Sequence, residues 1–152
     1  MNAGDVVIDD HLLLRVLLDD EPADLRRGAG RIWTTGLWYH RLARALAAPT
    51  VTGALSRQLG GIDERLAANV VQSMIELPVS IGLVSLRDIA GPMAQMVGTG
   101  LRLNLMSLEA LAAAEHTGAT ICLASADASP PMPTPHLTAA AAARGVRLRL
   151  LD

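Results

Sequence analysis

The acids placed to do chemistry stand at the ends of two apolar runs. Asp127 closes the run 119–127, ATICLASAD, and Asp9-Asp10 close Val6-Val7-Ile8. A short run of Ile, Cys and Leu set between Gly118 and the Pro130-Pro131 pair reads as a buried strand of a parallel sheet. Its carboxyl end carries the Asp127 carboxylate. Ligands of open α/β sheets collect in the crevice outside the carboxyl ends of the strands, so acids at those ends are the first place to look for a reaction. Helix-like composition begins at His11, right after the first pair, and there a carboxylate would cap free backbone N–H groups and meet the positive end of the helix dipole. On this reading Asp10 takes the structural task and Asp9 is left for chemistry.

The other reactive side chains organise less well. His11, His40, His116 and His136 share no metal-ligand spacing and read as surface or helix-end residues. Ser125 stands in no nucleophile elbow, which argues against serine hydrolase chemistry. The one cysteine, Cys122, lies mid-strand, so no disulfide can form within the chain and a buried thiol is expected. Trp33, Trp38 and Tyr39, in a chain with 2% aromatics and no Phe, read as core or subunit-contact residues before base-stacking ones. All thirteen basic residues are Arg; with a net charge of −2 there is no global basic field to hold a polyanion. Arg26, Arg27, Arg31, Arg41 and Arg44 cluster locally, which fits either solvated helix faces or a phosphate-facing patch.

The elements that must hold these residues follow from the pattern along the chain. At 152 residues, 51% hydrophobic and 18% charged, the sequence suits one domain with a single sizeable aliphatic core. Strands are predicted at Val6–Ile8, Val79–Val84, 119–127 and Val146–Leu150. Helices are predicted from His11, through most of Pro22–Ala48, from Ile62 with Leu66, Val70 and Met74 on one face, from Ser85 to Val97, over Ser107–Thr117 and over Thr138–Arg144. Gly118 stands where a left-handed helix terminus is needed. Strands alternating with helices imply a parallel sheet between helical layers. The glycines at 28, 30 and 36 follow no predicted strand and so do not read as a phosphate loop. No signal peptide or membrane span is expected, and the chain reads as cytoplasmic.

Taken in order, VVIDDHLLLRVLLDDEP near the start, EALAAAEHTGATICLASAD later and AAAARGVRLRLLD at the end resemble a PIN domain, over nearly the whole chain. Members of that family, VapC-type ribonuclease toxins among them, are similar in three respects. An apolar first strand ends in Asp, a late helix opens with Asp-Ala, and a strand ends in Thr-x-Asp. The resemblance implies a three-layer α/β/α fold around a mostly parallel sheet of about four to five strands. It also implies Mg²⁺ or Mn²⁺ held by carboxylates, because clustered acids are costly unless a divalent cation neutralises them; that ion would activate water against an RNA phosphodiester. Asp9 matches the first acid and Asp127 the last, with Ser125 supplying the hydroxyl of Thr-x-Asp. Glu109 or Ser107 matches the third, and the two differ by about 200° around a helix. The second acidic position falls where this chain has His40-Arg41, with no carboxylate. An Arg pointing into the crevice would offset the acids itself and weaken cation binding. The expectation is therefore a metal-dependent endoribonuclease with an impaired site, homodimeric and held by an antitoxin-like protein, or a PIN-like domain without catalysis that binds RNA or protein.

Overall fold

The computed structural model describes residues 4–27, 29–47, 69, 71–73, 75–125 and 134–152. Five strands form one sheet, every neighbouring pair parallel: β1 (Gly4–Ile8), β2 (Ala29–Thr35), β3 (Ile81–Val84), β4 (Thr120–Ala124) and β5 (Leu148–Leu151), in the spatial order β3-β2-β1-β4-β5. The helices α1 (Asp10–Leu17), α2 (Ala23–Arg26), α3 (Gly36–Ala47), α4 (Leu86–Gly98), α5 (Leu105–Thr117) and α6 (Pro135–Ala143) cover its two faces. None of the helices among the described residues is long and apolar enough to cross a membrane.

The layers follow from the two-residue period of a strand, which sends neighbouring side chains to opposite faces. Val6 and Ile8 of β1 join Leu12, Leu13 and Val16 of α1 in one core, whereas Val7 between them joins Ile89 and Met96 of α4 and Leu111 of α5 in the other. β1 is therefore buried on both faces, as a central parallel strand must be. α5 is buried nearly all round, and its alanines at 110, 112, 113 and 114 let it lie close against the sheet. Gly118 ends it with φ 69°, the left-handed conformation expected from its position.

Two expectations are corrected. Residues 29–35, read as part of a helical stretch, form β2, pairing with β1 through Ile32–Val6 and Trp33–Val7. Gly36 accordingly does follow a strand, and α3 begins on it with no intervening loop. The signal was Ile32-Trp33-Thr34-Thr35, a β-branched and aromatic run masked by the glycines and Arg31 before it. The predicted join at 49–61, the face Leu66, Val70 and Met74, and the proline loop up to residue 133 lie outside the described residues.

The order of strands places a switch point beside β1. Its neighbours are β2, the next strand in sequence, and β4, so the chain winds from β1 to β2 and β3 on one side and then crosses back to β4 and β5 on the other. The crevice of an open sheet lies at such a point, outside the carboxyl ends.

Candidate functional site

Asp9 is the first residue past β1 and holds that crevice together. Its backbone is extended (φ −74°, ψ 176°), and the Leu12 N–H donates to Oδ1 at 2.8 Å, so Asp9 is the N-cap of α1. The Ala124 N–H, at the end of β4, donates to Oδ2 at 2.9 Å, and the Asp9 N–H donates to the Cys122 carbonyl at 3.3 Å. One side chain thus ties the start of α1 to the far side of the switch point. Asp9 is 4% exposed, and this burial pushes its carboxyl above the ordinary range. The amides of Leu12 and Ala124 work against that shift, and the neighbouring Asp10 charge adds to it.

Asp10 does not cap the helix. Because α1 starts directly after the strand, the residue at the strand end is itself the cap, and Asp10 falls inside the first turn with its side chain free to pair. It accepts both arms of the Arg41 guanidinium from α3: Nε to Oδ2 at 2.5 Å, and Nη2 to Oδ1. This two-pronged geometry is the strongest form of a carboxylate–arginine contact. Arg41 Nη1 also reaches Met106 Sδ in the first turn of α5, at 3.5 Å. Its pKa is raised by the Asp10 hydrogen bonds, with the Asp9 charge contributing. The sequence position expected to carry the second acid therefore carries a cation that points into the crevice.

Glu109 lies one turn along α5, fully buried, at the carboxyl end of β2. The Leu37 N–H donates to its Oε2 at 3.0 Å, and the Trp38 N–H donates to Thr35 Oγ1 at 3.3 Å, so α3 is capped by one local hydroxyl and one carboxylate from 72 residues away. A Cβ on Gly36 would press on Glu109 Oε1 at 3.3 Å, and glycine is what lets the carboxylate approach. Among the described residues Oε1 has no hydrogen-bond partner, and neither does Ser107 Oγ, also fully buried.

The remaining predicted residues divide. Ser125 is exposed; its N–H donates to the Leu151 carbonyl at 2.8 Å, and its hydroxyl donates to the Asp152 carboxylate. Asp127 lies outside the described residues. All four histidines are exposed, and Trp38 is fully buried in the core, as their positions suggested. Of the local arginines, Arg26 pairs with Glu21, Arg27 with Asp24 at 3.0 Å and Arg41 with Asp10, while Arg31 stacks 4.3 Å above the Trp33 ring. Cys122 is a free, buried thiol whose pKa is raised by burial.

The donor set bears on the expected Mg²⁺ or Mn²⁺. Such ions demand several oxygen ligands in near-octahedral array. Here both oxygens of Asp9 already hold backbone amides, both of Asp10 hold Arg41, and Glu109 keeps one oxygen unpaired. Among the described residues no group of three or more His, Cys, Asp or Glu side chains is arranged to hold a metal ion. Those residues do not fit a divalent cation. No protein-family model matches this chain, and no curated protein does.

Proposed function

We propose that this chain is a PIN-like domain that works by binding, with RNA as its ligand, and in which metal-dependent phosphodiester cleavage is impaired. The observation that carries this reading is the seating of Arg41 on Asp10, which supplies positive charge where a ribonuclease of this kind needs an acid. The occupied oxygens of Asp9 support it further. A second reading, the active ribonuclease, draws on the place of Asp9 at the switch point beside the end of β4, three residues ahead of Asp127 in sequence.

A labelled single-stranded RNA incubated with the protein in Mg²⁺ or Mn²⁺ separates the two. We expect no cleavage above that of Asp9→Asn, which keeps an acceptor for the Leu12 cap, and retention of the RNA in a gel-shift assay with or without metal. Metal-dependent cleavage that Asp9→Asn abolishes would establish the nuclease instead.

A further inference from the structure

We infer that Arg41 is the resident cation of this carboxylate site, holding α1, α3 and α5 together with a permanent charge in the place where a divalent ion would otherwise be needed. The inference deepens the reading above and rests on it for the identity of the competing ion. Three observations converge on it. The guanidinium is bidentate on Asp10, whose side chain is only 10% exposed while that of Arg41 is 40% exposed, so the acid is buried and its cation reaches it from the edge of the crevice. The acid it holds adjoins Asp9, the buried N-cap at the switch point, and its Nη1 contacts Met106 on the helix that carries Glu109. A buried acid whose cation is removed is left with an uncompensated charge, which is far costlier than an exposed pair lost. Arginine suits the role because it stays protonated at every working pH and its planar fork matches the carboxylate. A metal ion gives such a site charge only when it is bound; Arg41 gives it from the moment the chain folds.

The consequence is an exchange rule. With Arg41 in place, added divalent cation meets a site already neutralised and is repelled by the guanidinium. With the charge removed, both oxygens of Asp10 are left unpaired beside Asp9 and regain an appetite for a cation.

Thermal unfolding in EDTA and in millimolar MnCl₂ reads this directly, with calorimetric Mn²⁺ titration beside it. The wild type is expected to melt at the same temperature in both buffers. Arg41→Gln is expected to melt several degrees lower in EDTA, to regain part of the loss in Mn²⁺, and to bind Mn²⁺ at least roughly tenfold more tightly than the wild type, a factor worth about 1.4 kcal/mol. Arg41→Lys keeps the charge without the fork and is expected to stay insensitive to Mn²⁺. Wild-type protein that melts higher in Mn²⁺, or Arg41→Gln that is destabilised and does not respond to Mn²⁺, overturns the inference. If Arg41→Gln does not fold in EDTA, refolding it in Mn²⁺ asks the same question: recovery supports the exchange and failure overturns it. A wild type that binds no Mn²⁺ and also no RNA removes the proposed ligand while leaving the resident cation standing.

Discussion

An aspartate stands near each end of β1, and the largest difference between the two is burial. Asp5 accepts two N–H groups, from the Arg31 backbone at 3.0 Å and from Trp33 Nε1 at 2.9 Å; Asp9 also accepts two, from Leu12 at 2.8 Å and Ala124 at 2.9 Å. Yet the Asp5 carboxyl is held below the ordinary range, chiefly by its hydrogen bonds with the Arg31 charge helping, and the Asp9 carboxyl is pushed above it by burial. Equal hydrogen bonding with opposite outcomes means that desolvation decides. Asp5 sits part-exposed near the amino end, where its acid serves to pin β2 and the Trp33 ring. Asp9 sits 4% exposed at the carboxyl end, where a carboxylate is kept off its usual range by the fold.

If burial ranks these acids, Glu109 should matter most, since it is fully buried while accepting one hydrogen bond. Glu109→Ala removes one of the two caps of α3 and opens a void in the core, and is expected to cost about 3 kcal/mol in denaturant unfolding. Glu109→Gln keeps an acceptor for the Leu37 N–H and the side-chain volume, and should cost well under half as much. If Glu109→Ala proved no worse than Asp5→Ala, burial would not be the ranking principle.

Asp9→Ala comes next, at about 2 kcal/mol, because it strips a helix cap and leaves the Ala124 N–H unpaired. Amide hydrogen exchange should localise the damage, with protection lost at Leu12 and Ala124 together. Loss at Leu12 alone would mean that the bond across the switch point contributes little. Asp5→Ala is expected to cost about 1 kcal/mol, since water can replace it at the Arg31 and Trp33 donors. The tryptophan fluorescence should change in that variant and stay unchanged in Asp9→Ala.

How much of this was legible in the sequence depends on the range over which the cause acts. β1, β4, the Ala-rich α5 and the Gly118 terminus are written in runs of adjacent residues, and the three-layer parallel architecture followed from them. β2 was hidden because Gly30 and Arg31 dilute a strand that is apolar only from Ile32 onward. The roles of Asp9 and Asp10 were exchanged by a single residue of offset: a helix starting with no loop makes the strand-end acid its own cap. Glu109 on the Leu37 amide, and Ala124 on Asp9 across 115 positions, are contacts that no local pattern encodes. Arg41 was visible as a departure from the pattern that the sequence resembles, but its seating on Asp10 belongs to the way α1 and α3 pack.

The smallest and sharpest test of the Asp5–Asp9 contrast is pH. Asp9, with its pKa raised, holds a proton in the folded state at pH values where the unfolded chain, titrating at about 3.9, has released it. Its contribution to stability is therefore full below the unfolded value and is lost as pH rises through the folded one. Asp5, with its pKa lowered, behaves in reverse: its contribution is present above the unfolded value and is lost as pH falls through the folded one. Asp5→Asn should flatten the acid limb of the stability profile, and Asp9→Asn the limb above it, so the two variants should bracket the wild-type curve from opposite sides. Carboxyl-carbon NMR titration assigns each limb to its residue. Two midpoints moved in the same direction would mean that burial at the carboxyl end of β1 does not govern Asp9.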